Sequence, residues 1–237
     1  MRFVLFVFLL IFSFNVSAQT PAVAQLFAEG TRAANAGRFG DALTSYRTAL
    51  FMGENERLDN NYLSRVRYNI GVCYFHLDQP RLAAIELKLA VRLNHGEYTR
   101  ALYALGMADM QMKNWKAAAA SFGKVLKSEP ENGEAWFDLA FASVADGDLE
   151  AAEKAFANSI AFGSVDSALS HNNIGVILAV RGDLAGAETE FVTAIEKSDG
   201  RLHEAKRNLE FCRRLGKTKL VATDLRYAMR SAAVNVS

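Results

Sequence analysis

Catalysis and metal binding both require side chains that converge on one point, and the candidate residues of this chain do not predict such a convergence. The 237 residues include four histidines and two cysteines. No two histidines stand at the spacing of metal ligands, and the chain lacks a phosphate-binding loop, a dinucleotide fingerprint and a nucleophile elbow. Two cysteines are too few for a disulfide scaffold or a cysteine-ligated structural zinc. The sequence therefore predicts no catalytic residue, no metal site and no cofactor.

The charge balance argues against nucleic acid as a partner. Lys plus Arg number 27 and Asp plus Glu number 26, so the formal net charge is +1. Nucleic-acid binders usually carry a basic surplus, which this chain lacks. Hydrophobic residues make up 51% and charged residues 22% of the chain, a composition that favours a folded protein over a disordered one.

The N-terminus has the pattern of a secretory signal peptide. Arg2 precedes an apolar run from Phe3 to Phe14, and the small residues Val16-Ser17-Ala18 follow. A helix of twelve residues spans about 18 Å, which is shorter than the ~30 Å hydrocarbon core that an uncleaved anchor would have to cross. We expect cleavage after Ala18, export, most simply to a bacterial periplasm, and no membrane span in the remaining chain.

Three columns of residues that share one irregular spacing predict the elements of the fold. The separations within each column are 41, 35, 34 and 35 residues. Such a period indicates a stack of similar structural units rather than one globular core. The columns are Gly30, Gly71, Gly106, Ala140 and Gly175; Ala42, Ala83, Ala118, Ala152 and Ala187; and Tyr46, Leu87, Phe122, Phe156 and Phe191.

Each unit reads as two antiparallel helices joined by a short polar turn. The turns are visible at residues 36–38, 146–148 and 181–183. Small residues in the first and second columns let the two helices approach closely at their crossing. The third column, four residues after the second, lies on the same helix face and fills the space beside the crossing. One pair cannot bury its apolar faces alone, so the pairs are expected to stack.

The pattern resembles the tetratricopeptide repeat family over residues 23–200. The best matches are Leu102, Leu105, Gly106, Ala118, Phe122 and Pro130, followed by Trp136, Leu139, Ala140, Ala152 and Phe156. The resemblance implies an all-α, right-handed superhelical solenoid of about five repeats with a C-terminal capping helix. The repeats are 23–56, 64–97, 99–132, 133–166 and 168–200, with an insertion at 57–63, a capping helix at 201–216 and a basic tail at 217–237.

The resemblance also implies a candidate binding surface, because the first helices of these repeats line a concave groove at four of their positions. Aromatic side chains fill one groove row in four consecutive repeats. Such a row predicts an apolar trough for a partner; in the alternative interpretation the same side chains are core, buried by tight curvature or by the tail. The groove residues carried over are Phe27, Arg65, Tyr68, Val72, Phe75, Arg100, Tyr103, Met107, Met110, Phe137, Phe141 and Val144.

These observations predict an exported, non-catalytic adaptor. Its partner would be a protein or peptide with an apolar helix or extended segment, in a setting such as envelope, pilus or secretion assembly. Phe27 and Thr31 stand where the family's clamp for a C-terminal carboxylate has Lys and Asn, so that clamp is not expected. The alternative is a structural subunit that self-associates through its solenoid ends or residues 217–237.

The two cysteines are expected to remain separate reduced thiols, or at most to form an intermolecular bond. Cys73 lies in the second predicted repeat and Cys212 in the capping helix, so most of four repeats separate them. Each repeat adds roughly 10 Å of stacked helix, whereas a disulfide needs Cα atoms within about 7 Å.

Overall fold

Short turns separate consecutive helices along the chain. The computed structural model describes residues 20–164 and 167–218. Within these ranges it has eleven α-helices, which confirms the predicted all-α solenoid. They are α1 (Pro21–Asn35), α2 (Phe39–Asn55), α3 (Asn60–His76), α4 (Pro80–Leu93), α5 (Thr99–Gln111), α6 (Trp115–Ser128), α7 (Gly133–Asp146), α8 (Leu149–Ala161), α9 (Ser167–Arg181), α10 (Leu184–Lys197) and α11 (His203–Thr218).

Each helix packs antiparallel against its neighbours in the chain, and the small-residue columns lie where the paired helices cross. A Cβ atom placed on Gly30 would come within 2.7 Å of the Tyr46 ring, and one on Gly106 within 2.7 Å of Phe122. All five alanines of the second column are fully buried. The structure therefore confirms that small residues permit the crossing, and shows that the third-column side chain occupies the space that a larger residue in the first column would need.

The turns within the pairs contain a fourth column of equivalent residues, and the sequence predicted three of these five turns. Residues in the left-handed backbone region recur at separations of 41, 35, 34 and 35, the same spacing as the other columns. Glycine adopts this region freely, but two of the five positions carry side chains. The five residues are Gly37 (φ 73°), Asp78 (φ 55°), Lys113 (φ 59°), Gly147 (φ 90°) and Gly182 (φ 92°).

Side-chain caps start several of the helices. The Asp59 carboxylate accepts a hydrogen bond from the Tyr62 backbone N–H at 2.7 Å, at the start of α3. The Asn132, Asp148 and Asp183 side chains do the same for α7, α8 and α10. Each cap satisfies one of the backbone donors that a helix N-terminus leaves without an intrahelical partner.

The predicted insertion at 57–63 forms part of the core. Leu58 is 5% and Tyr62 9% exposed, and α3 already begins at Asn60. The Tyr62 ring lies 6.0 Å from Phe27 of α1. The extra residues thus extend the packing between the first two helix pairs as well as the connection.

The two ends of the chain are only partly described. Residues 1–18, the predicted signal peptide, and 219–237, most of the predicted tail, lie outside the described residues. The capping helix α11 ends at Thr218, two residues beyond the predicted 201–216. Among the helices that the structure does describe, none has the length and apolar character needed to cross a membrane.

Both cysteines are free thiols, as predicted, and both are buried. Burial raises the pKa of the Cys73 thiol to about 11. Burial also raises the pKa of Cys212, whose thiol donates to the Leu184 carbonyl oxygen at 3.4 Å. Both thiols are therefore protonated at neutral pH.

Candidate partner-binding surface

The predicted groove residues lie on α1, α3, α5 and α7, the first helices of four consecutive pairs. Not one of the twelve is fully buried. Arg65 and Arg100 are exposed. The other ten are half-buried: Phe27, Tyr68, Val72, Phe75, Tyr103, Met107, Met110, Phe137, Phe141 and Val144.

The aromatic row, which we define as Phe27, Tyr68, Tyr103 and Phe137, rests on the core instead of standing clear of it. The Phe27 ring meets Tyr46 edge-on at 5.5 Å. Tyr103 meets Phe122 and Phe137 meets Phe156 in the same way, at 5.5 and 5.7 Å. Three of the four rings therefore have one edge fixed by the buried third column, so they combine a core role with a partly exposed surface.

Tyr68 has a different neighbour because the third column carries Leu87 in its repeat. Its ring lies 5.3 Å from Tyr98, the residue just before α5, at an interplanar angle of 43°. Both tyrosines pack against the same buried cluster, which includes Leu87 and Leu105. The pair continues the aromatic surface from one repeat to the next.

A hydrogen bond links the aromatic row to the following repeat. The Tyr103 hydroxyl donates to the Asp138 carboxylate on α7. Burial and, next, this bond to a carboxylate raise the pKa of Tyr103 well above its ordinary value. The Tyr103 ring is therefore held from both sides, by Phe122 of its own pair and by α7 of the next.

The deeper groove residues are also anchored in the core. Met107 and Met110 pack, with Tyr103, against a cluster that contains Phe122 and Ala142. The Phe141 ring lies 6.4 Å from Phe137. Methionine adapts to irregular apolar shapes, so this part of the surface can accommodate apolar partner side chains of different shapes.

The surface ends at α9, where α11 covers the equivalent positions. Asn172, which continues the aromatic row by spacing, is 2% exposed and accepts a hydrogen bond of 2.9 Å from Asn208 of α11. Val176 and Ala179 are buried in the cluster that includes Leu209. The capping helix therefore closes the apolar face that the last pair would otherwise expose.

The structure brings together some of the predicted residues and leaves others apart. The Arg65 guanidinium lies over the Phe27 ring at 5.4 Å, and Phe137 is close to Phe141. The twelve residues do not form one cluster, because those that pack against a hydrophobic cluster are divided among five.

Sequence reasoning missed Tyr62, Tyr98 and Asp138, which contact this surface from outside the four groove positions. For the two tyrosines, the only available signal was an aromatic residue just before the first helix of a pair or in its first turn.

Ion pairs replace apolar contacts where the chain departs from the family pattern. Arg67 of the second repeat stands at the position that Trp136 occupies in the fourth, and it binds Glu54 and Glu86, at 2.7 and 2.8 Å. His171, at the same position of a later repeat, lies 2.7 Å from the Glu190 carboxylate. In the described part of the chain, no three His, Cys, Asp or Glu side chains lie close enough together to hold a metal ion.

The geometry of paired helices, small-residue crossings and a repeating turn agrees with the comparison with protein families. A tetratricopeptide repeat model matches residues 27–102 and 103–166. The chain belongs to the tetratricopeptide repeat family. Proteins of this family are typically non-catalytic scaffolds for protein interactions. No curated protein matches the sequence.

Solved structures of other tetratricopeptide repeat proteins share the fold. MamA from Desulfovibrio magneticus RS-1 is 18% identical, with a TM-score of 0.68 over 78% of this chain and 99% of that one. Another MamA structure is 22% identical, with a TM-score of 0.65 over 72% and 94%. YrrB, described as a TPR protein with an unusual peptide-binding site, is 19% identical, with a TM-score of 0.65 over 75% and 87%. At these identities the likeness concerns the fold.

Proposed function

We propose that this tetratricopeptide repeat protein is an exported, non-catalytic adaptor that binds an apolar helix or extended peptide of a partner protein along the aromatic row. The observation that carries the proposal is the row itself: half-buried aromatic side chains on four consecutive first helices. Their inner edges rest on the core, so the rings are already ordered before a partner binds. Ordered aromatic rings bind an apolar segment with little loss of conformational entropy.

The likeness of fold to YrrB supports a peptide as the occupant, because that protein is described as having a peptide-binding site. The pattern of residues 1–18 supports export, with envelope, pilus or secretion assembly as the setting. The alternative, self-association through the solenoid ends or residues 217–237, stays a prediction. Light scattering before and after deletion of residues 219–237 tests it, and an unchanged monomer would exclude it.

The test of the adaptor function is photocrosslinking from position 107, which lies beside the aromatic row. A variant with Tyr103→Ala and Phe137→Ala should lose the crosslinked partner that the wild-type chain traps in cells. Both rings pack on the core, so circular dichroism must first show that the variant retains its helices. The matched control is Phe51→Ala with Phe162→Ala, since these rings are 65% and 41% exposed and lie on or beside second helices. Unchanged crosslinking by the folded groove variant would contradict the proposal.

A further inference from the structure

Two arginines and Tyr98 surround Tyr68 of the aromatic row, at the junction of the second and third helix pairs. Arg65 and Tyr68 are three residues apart on α3 and therefore share a face of that helix. Tyr98 immediately precedes α5, and Arg100 is in its first turn. The Tyr68 and Tyr98 rings lie 5.3 Å apart, which places the middle of α3 beside the start of α5.

The charges of both arginines act on the Tyr98 phenol. Burial and the neighbouring Tyr68 raise the pKa of Tyr98, whereas the charges of Arg100 and Arg65 lower it. Arg100 follows Tyr98 by two residues, and Arg65 precedes by three residues Tyr68, whose ring contacts Tyr98. Arg65 is also placed by its stacking over the Phe27 ring at 5.4 Å.

The hydrogen-bonding capacity of these four side chains is unused within residues 20–164 and 167–218. Seven of the eight ion pairs of the described chain involve other arginines and one involves His171, so neither Arg65 nor Arg100 has a carboxylate partner there. Both guanidinium groups are exposed. The hydroxyls of Tyr68 and Tyr98 likewise have no hydrogen-bond partner among the described residues.

We propose that Arg65, Tyr68, Tyr98 and Arg100 form a site for an acidic side chain, Asp or Glu, of the segment that occupies the groove. Guanidinium groups bind carboxylates through two parallel N–H donors, and phenol hydroxyls add further donors. Stacking on Phe27 holds the Arg65 plane and leaves its edge free to donate. This inference rests on the proposed function and adds a chemical requirement to it: the partner segment combines apolar residues with one acidic residue at a fixed distance.

The test starts from peptides selected on the full chain. A phage library of random twelve-residue peptides is selected on the wild-type protein and counter-selected on the Tyr103→Ala, Phe137→Ala variant, which leaves groove-dependent binders. We expect these to carry an Asp or Glu at a constant distance from two or more apolar residues. A pool with no acidic preference overturns this inference alone, and the absence of groove-dependent peptides overturns the proposed function together with it.

A thermodynamic cycle on the best peptide then identifies the protein groups. Replacing its acidic residue by the corresponding amide should weaken binding to the wild type about tenfold, or about 1.4 kcal/mol. On an Arg65→Gln, Arg100→Gln variant the same change should weaken binding less than about twofold, because the partner charges are gone. An equal loss on both proteins overturns the inference.

Two further variants separate charge and hydroxyl effects from packing. Arg47→Gln with Arg92→Gln removes the same charge from exposed positions on second helices, and should keep the tenfold loss. Tyr68→Phe with Tyr98→Phe keeps both rings but removes the hydroxyl donors, so it should reduce the peptide's preference for the acid. A preference that is unchanged in this folded variant would exclude the tyrosines from the site.

Discussion

A contact between a glycine and a large side chain sets the distance between the two helices of a pair. At Gly71 and Gly175, as at Gly30 and Gly106, an added Cβ atom would come within 3.0 Å of the third-column side chain. The fourth repeat carries Ala140 in this column, so the crossing there accommodates one methyl group. Glycine costs helix stability, and the cost is offset by the buried ring that it admits.

Replacing Gly106 by alanine should therefore destabilise the protein despite alanine's better helix propensity. The new methyl group would lie 2.7 Å from the fully buried Phe122 ring. Overpacking of this kind costs about 1–3 kcal/mol, and we expect a net loss of about 1–2 kcal/mol in the free energy of unfolding in urea. Gly123→Ala is the control, since nothing lies within 4 Å of its added Cβ. It should stabilise α6 by about 0.5–1 kcal/mol. Equal effects at both sites would contradict this account of the crossing.

At a left-handed turn position that carries a side chain, we expect the introduction of glycine to stabilise the protein. Lys113 has a φ of 59°, where glycine has no steric penalty. Lys113→Gly should therefore raise the free energy of unfolding by about 1 kcal/mol. Lys124→Gly, in the interior of α6, should lower it by about 1 kcal/mol because glycine is a poor helix former. Urea unfolding of both variants checks the prediction, which fails if Lys113→Gly is destabilising.

Burial of Cys73 predicts a loss of stability in alkali. The unfolded thiol ionises near its ordinary pKa of 9.0, whereas the folded thiol holds its proton up to about 11. Between these values the unfolded state releases the proton first, so stability is full below pH 9 and falls as the pH rises towards 11. The wild type should lose about 2 kcal/mol more than Cys73→Ala between pH 8 and 11. If urea unfolding shows the same loss of stability with pH in both proteins, the buried thiol is not the cause.

At the scale of the helices, ion pairs connect second helices that the apolar columns do not join directly. Arg67 on α3 binds Glu54 of α2 and Glu86 of α4, with its own side chain only 18% exposed. Arg213 of α11 and Arg181 of α9 each bind one carboxylate, Glu188 of α10 and Glu153 of α8, on the second helix of the preceding pair. These pairs fix neighbouring helix pairs in one relative position.

Replacing Arg67 by methionine tests this connection, because the apolar packing of the side chain is largely kept while both ion pairs are lost. Two carboxylates are left without their cation, and we expect destabilisation by about 1–2 kcal/mol. Arg38→Met is the control. Its pair with Asp41 is about two-thirds exposed on both sides, and its loss should cost less than about 0.5 kcal/mol. Urea unfolding that shows no difference between the two variants would exclude a linking role for Arg67.

At the scale of the whole molecule, the proposed export of the protein rests on the pattern of residues 1–18. If residues 1–18 are a signal peptide, expression in a bacterial host should give an exported protein whose first residue is Gln19, as mass spectrometry of the intact chain can show. Ala18→Arg should block cleavage, because the position before the cut requires a small residue. A cytoplasmic protein that retains Met1 would contradict the prediction.

The interactions within each pair were the part of the fold that sequence alone could predict. Gly106, Ala118 and Phe122 lie within seventeen residues of one another, and helical periodicity fixes which of them meet at the crossing. The same local rules predicted the turn at Gly147 but not those at Asp78 and Lys113, since their residue types do not signal a left-handed backbone.

The candidate site was predicted only in outline. Spacing placed Phe27, Tyr103 and Phe137 in one row, but it did not show that each ring rests edge-on against a buried aromatic residue. It also did not predict that Tyr98 joins Tyr68 or that the Tyr103 hydroxyl reaches Asp138. These contacts depend on how one pair is placed against the next.

The sequence by itself determined the helices, their pairing and the close crossings, because these depend on short-range periodicity and on the volumes of residues within one unit. Only the tertiary structure decided which surface residues converge, where α11 covers Asn172, and where Arg65 and Arg100 lie relative to the tyrosines. The physical reason is that neighbouring pairs meet through many weak contacts between half-buried side chains, and their relative position follows from all of these contacts together rather than from any one spacing.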